Sequence, residues 1–125
     1  MVEYVYTILI GHFIADFVHQ PRYMAEKKGY SIKALFSHAW LYACFMIFFI
    51  RFASFIWNMP VTDISRESMV LVFGYIFLSH GLVDFVSSKV TRKLWEARKN
   101  YWFFVVIGFD QLVHYISLLV ILEFV

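Results

Sequence analysis

The chain has one cysteine, Cys44, so an internal disulfide framework is excluded. Charge is scarce. Only 16% of residues are charged, against about 25% in ordinary globular domains. The net charge of +2 is too small to make nucleic acid a main partner, and none is expected. The low hydrophobicity that disorder requires is also missing, since 62% of residues are hydrophobic. At 125 residues there is room for one domain and not for two. A water-soluble fold of this size would expose much of its apolar excess, and such patches drive association. What remains is a small all-α integral membrane protein with the lipid bilayer as its surroundings.

Four apolar stretches run over about residues 5–20, 34–57, 68–88 and 102–124. A spanning helix needs about 20 residues, with a range of roughly 17–25. The expected fold is therefore a four-helix transmembrane bundle forming a single domain over residues 1–125. Neither a repeat nor a low-complexity segment is present. The two prolines, Pro21 and Pro60, both fall in the connections. The first stretch does not read as a cleaved signal peptide, because it lacks a basic start and a small-residue cleavage site.

Charge orients the bundle. The first connection carries Arg22, Lys27, Lys28 and Lys33, and the third carries Lys89, Arg92, Lys93, Arg98 and Lys99. The middle connection has only Arg66, beside Asp63 and Glu67. The positive-inside rule places both basic connections in the cytoplasm. Both termini are then expected outside the cytoplasm.

The informative residues are ionisable groups inside the apolar stretches. An Asp at the centre of a spanning helix costs about 2.5–3.5 kcal/mol on insertion scales. Here His12 and Asp16, His80 and Asp84, and Asp110 and His114 are each four residues apart. Such pairs stack on one helix face. Counted from the basic connections at about 1.5 Å per residue, these groups and His38 lie roughly 6–18 Å deep, in one layer. One site in the cytoplasmic half of the bundle is the reading.

Imidazole and carboxylate together suit a divalent transition metal such as Zn, Mn, Fe or Ni. The expected ligands are His12, Asp16, His38, His80, Asp84, Asp110 and His114. Two dications against Asp16, Asp84 and Asp110 leave one net positive charge, which would hold hydroxide or an anionic substrate. Two other readings stand beside it: a proton or ion relay, and polar pairing that only glues helices together. Gly11, Ala15, Gly81 and Gly108 would let backbones approach closely. Lys27, Lys28, Lys33 and Lys89 would attract anionic headgroups or a phosphate-containing substrate.

These residues carry a resemblance. The run His12-Phe-Ile-Ala-Asp16-Phe17-Val-His-Gln20 is followed by Met24-Ala25-Glu-Lys27-Lys28 and His38. Then come His80-Gly-Leu-Val-Asp84 through Lys89, and Asp110-Gln111-Leu-Val-His114. Together they resemble a family of small prokaryotic and phage membrane proteins of unknown function, which implies a prokaryotic inner membrane, or a phage-encoded protein in one, as the location. The helical His-x-x-x-Asp pairs are also similar, more distantly, to zinc-dependent phospholipase C and P1 nuclease, a pattern analogy only. That similarity implies metal-dependent hydrolysis of a phosphoester or lipid. Asp110, Gln111 and His114 would do the chemistry, and Gln20 and Lys89 would bind or orient the substrate. The alternative is a metal or proton transporter using the same cluster. A protomer with four short spans would also suit a homo-oligomer.

Overall fold

A computed structural model describes residues 2–58 and 65–121. Within these, five α-helices and one π-helical turn follow one another: α1 (Val2–Phe13), the π turn (Ile14–Val18), α2 (Arg22–Lys27), α3 (Ile32–Ile56), α4 (Arg66–Glu96) and α5 (Asn100–Ile121). Among the described residues every regular element is helical. Pro60 and Asp63 in the middle connection, and the end of the expected fourth stretch, lie outside them.

The boundaries follow local chemistry. Ser31 caps α3 by accepting a hydrogen bond from the Ala34 amide at 3.3 Å, and Ser65 caps α4 through the Ser68 amide at 3.1 Å. Each oxygen satisfies an amide that has no partner within its helix. The connection expected to begin at Lys89 is mostly helix, since α4 continues to Glu96. No glycine or proline interrupts residues 89–96, and Lys, Arg and Glu propagate a helix well. The helix ends where Arg98 turns to a left-handed φ of 55° and Lys99 N–H donates to Leu94 O at 2.9 Å, a Schellman-type closure. The first connection also holds a short helix, α2, rather than coil throughout.

Three helices, α3, α4 and α5, are long and apolar enough to cross a membrane. α1 and the π turn are shorter, with 12 and 5 residues. Around the bundle α1 packs on α3, α3 on α4, α4 on α5, and α5 closes lightly on α1. Small residues let α3 come close on both sides. A side chain on Gly11 would meet Phe49 Cγ at 2.6 Å, and one on Gly81 would meet Ala39 Cβ at 3.3 Å. Gly108, expected to serve the same purpose, faces open space.

The exterior of the bundle is unlike that of a soluble protein. Large apolar side chains point outward, among them Phe55 (82% exposed), Leu71 (74%) and Phe109 (66%). The interior holds His12, Asp16, His38, His80, Asp84, Asp110 and His114. One end of the interior is apolar, where Tyr4, Ile8, Met46, Ile50, Val72, Ile76, Leu118 and Ile121 form a cluster with their neighbours. The polar layer lies toward the end that carries the first connection. A lipid exterior would favour this arrangement, because apolar side chains lose nothing by facing hydrocarbon while buried polar groups pair with one another.

Candidate metal centre

Each long helix delivers part of the cluster. The π turn brings Asp16, α3 brings His38 and Tyr42, α4 brings His80 and Asp84, and α5 brings Asp110, Gln111 and His114. The π turn is closed by His19 N–H donating to Ile14 O at 2.7 Å. Such widened turns in otherwise α-helical segments recur at functional sites.

Four buried residues, Asp16, His38, His80 and Asp84, each present one ligand atom within 4.8 Å of the others and could hold a metal ion. His38 Nε2 is 2.9 Å from His80 Nε2, 3.1 Å from Asp16 Oδ1 and 3.2 Å from Asp84 Oδ2. His80 Nε2 is 3.7 Å from each of the same oxygens. With metal–ligand bonds of about 2.0–2.1 Å, the edges of a tetrahedral site are about 3.3 Å. The observed separations bracket that length. The 2.9 Å contact of His38 Nε2 with His80 Nε2 is a hydrogen bond when one of the two nitrogens carries a proton. Two imidazole nitrogens face each other and two carboxylate oxygens, so most of the approaching atoms are acceptors. Asp16 Oδ1 is buried with no hydrogen-bond partner despite its nearness to His38.

A second group, Asp84, Asp110 and His114, meets the same proximity test. His114 Nε2 lies 3.3 Å from Asp84 Oδ1 and 3.5 Å from Asp110 Oδ1. Asp84 belongs to both groups.

Gln111 ties the carboxylates together. Its Nε2 donates to Asp16 Oδ2 at 3.1 Å and to Asp110 Oδ2 at 3.0 Å. The other oxygen of each carboxylate, Oδ1, is left buried and without a hydrogen bond. His12 completes this network from behind. Tyr42 O–H donates to His12 Nδ1 at 2.7 Å, and His12 Nε2–H donates to Gln111 Oε1 at 3.0 Å. Both ring nitrogens of His12 are thereby used, one hydrogen bond behind the carboxylates. The structure does not bring His12 into either ligand group. Such supporting contacts fix ligand orientation and affinity.

Gln20 has a similar place. Its amide meets His38 Nδ1 at 3.0 Å. As placed, Gln20 Nε2–H donates to Nδ1; with the amide oxygen and nitrogen exchanged, Oε1 would accept Nδ1–H and leave His38 Nε2 as a lone pair, the tautomer a metal ligand requires. Lys89 is placed elsewhere: its ammonium sits 3.4 Å over the Phe85 ring, on the exposed side of α4.

Two residues of the centre escape the sequence analysis. Tyr42 is fully buried and stacks on His80, with ring centroids 3.6 Å apart and planes at 9°. Its position four residues after His38 was the available signal. Lys28, noted only as an attractor of headgroups or phosphate, donates to Asp84 Oδ2 at 2.9 Å. Burial pushes Lys28 toward neutrality, but Asp84 and Asp16 outweigh it and hold its pKa above the ordinary lysine value. The loop behind it is clamped, as Arg92 donates to Gly29 O at 2.7 Å and Tyr30 O–H donates to Glu96 at 3.0 Å. A Cβ on Gly29 would come within 3.0 Å of Ser88 O, so this approach favours glycine. Lys28 also changes the charge balance. Three carboxylates and one ammonium leave two net negative charges, which one dication neutralises.

No curated protein and no solved structure matches the chain. The analogy to phospholipase C and P1 nuclease therefore rests on the His-x-x-x-Asp spacing alone. The family described as "Protein of unknown function (DUF3307)" matches residues 5–125. Nearly the whole chain, with every residue of the buried cluster, lies inside that match, and the protein belongs to the DUF3307 family.

Proposed function

We propose that this is a membrane-embedded, metal-dependent hydrolase acting on a phosphoester or lipid presented at the cytoplasmic leaflet. The observation that carries the reading is the set of four buried ligand residues at near-tetrahedral separations, with Asp16 Oδ1 among them lacking a hydrogen bond. In this reading α1 and the π turn complete the set of four spans, with the basic connections in the cytoplasm. Zinc is the first candidate, with Mn and Fe behind it. Such an ion supplies a Lewis acid and an activated water. Asp16, His38, His80 and Asp84 hold it. Gln111 and His12 fix the carboxylates, and Lys28 faces an incoming anionic group. Asp110 and His114, next to the first set, complete the reacting side.

The alternative is passage of metal or protons along the same residues. A relay needs titratable groups continuing to the other face. Among the described residues the opposite end of the interior is filled mostly by Ile8, Met46, Ile50, Val72, Ile76 and Leu118, with Tyr4 and Ser54 as buried polar side chains and no buried carboxylate or histidine there. That apolar plug supports a one-sided site.

The test uses the full chain in lipid nanodiscs, loaded with Zn or Mn. Hydrolysis of p-nitrophenyl phosphate, its bis ester and phosphatidic acid is measured beside metal content. Turnover that is lost in Asp110→Asn with the helical signal intact is the expected result. Metal or proton flux through wild-type liposomes, lost in the same variant, would replace the hydrolase with a transporter.

A further inference from the structure

We propose that the cluster holds two unequal cation sites joined by the Asp84 carboxylate, and that the second fills together with a phosphate-type dianion. The inference rests on the metal reading of the cluster and not on any turnover.

The two oxygens of Asp84 serve different neighbours. Oδ2 lies 3.2 Å from His38 Nε2, whereas Oδ1 lies 3.3 Å from His114 Nε2. A carboxylate used from both sides is a natural bridge between ions about 3.5–4 Å apart. The second site has its own unpartnered ligand, for Asp110 Oδ1 is buried without a hydrogen bond and 3.5 Å from His114 Nε2. Gln111 holds the opposite oxygen of Asp110, as it does for Asp16, so one orphan oxygen is turned toward each site.

The sites differ in ligand number. Asp16, His38, His80 and Asp84 give four protein ligands, the closed set of a tightly held ion. Asp84, Asp110 and His114 give three, which leaves a position open for an exogenous ligand. Charge makes the same distinction. With Lys28 at Asp84, the first dication brings Asp16, Asp84 and Asp110 to neutrality. A second leaves two net positive charges in an apolar surround, a costly state unless an anion enters with it. A phosphate or phosphomonoester dianion matches that charge, and the Lys28 ammonium stands at the same carboxylate.

The chelator-stripped full chain in nanodiscs is titrated with Mn²⁺, with and without inorganic phosphate, and followed by calorimetry and electron paramagnetic resonance. Two ions per chain are expected. The second should bind at least tenfold more tightly with phosphate present, and should change isolated Mn²⁺ spectra to exchange-coupled ones. His114→Ala and Asp110→Asn should each retain the first ion, lose the second and give only uncoupled spectra. One ion at saturation with phosphate present, or coupling that survives in both variants, would overturn the inference. A second ion whose affinity ignores phosphate would overturn the dianion. If no ion binds, the metal reading falls as well. Two coupled ions without hydrolysis would uphold this inference while removing the hydrolase.

Discussion

Lys28 Nζ and Asp84 Oδ2 meet at 2.9 Å across 56 residues of sequence. The same oxygen faces His38 and His80. The ammonium thus occupies the edge of the set of atoms that could hold an ion, and opposes any cation placed there. Lys28→Met should raise the affinity for the first Zn or Mn ion at least tenfold, or about 1.4 kcal/mol, as read by competition with a chelator dye. It should also weaken phosphate-assisted binding of the second. A fall in first-ion affinity would mean that Lys28 serves to hold Asp84 in place.

Gln111 is the hub of the carboxylates, with its amide donating to both Asp16 and Asp110. Gln111→Leu removes those donors and leaves His12 Nε2 without its acceptor. Loss of such supporting contacts costs about 10–100-fold in metal affinity. That loss is expected here while circular dichroism remains helical. Unchanged affinity would show that the carboxylates are held by the helices alone.

Two glycines should respond in opposite ways. Gly11→Ala forces a methyl against Phe49 where only 2.6 Å is open, and overpacking of this kind costs about 1–3 kcal/mol. Gly108→Ala meets nothing within 4 Å and should be neutral or stabilising by up to about 1 kcal/mol. Thermal unfolding in one detergent compares them. Equal midpoints would deny the close approach of α1 to α3.

Orientation can be read by labelling. In a Cys44→Ser background, Ser65→Cys and Lys93→Cys mark the two ends of α4. An impermeant maleimide added outside intact cells should reach residue 65 only, and residue 93 should react after the membrane is opened. Reaction of both from outside would remove the membrane-spanning assignment of α4.

The ligand-rich layer was legible because helical geometry is local. Residues four apart share a face whatever the helix packs on, so His80 with Asp84 and Asp110 with His114 could be paired from spacing. The same rule leaves the partners of His12 unread. It shares a face with Asp16, yet Tyr42 and Gln111 occupy both its nitrogens. Those partners come from α3 and α5, and spacing within α1 says nothing about them. Lys28 and Lys89 exchange importance for a similar reason. Both are basic residues in basic connections, and only the docking of residues 28–30 on the end of α4 aims one of them inward.

The sequence by itself determined the all-helical class, the apolar exterior and the polar layer, because composition and a 3.6-residue period act within single segments. The tertiary structure decided which oxygen of each carboxylate is held and which is free, that Asp84 faces two groups, and that a lysine stands beside them. Those outcomes depend on how four helices rotate and approach one another over a few tenths of an ångström. That is set by contacts such as Gly11 on Phe49 and Gly81 on Ala39, between residues far apart in the chain.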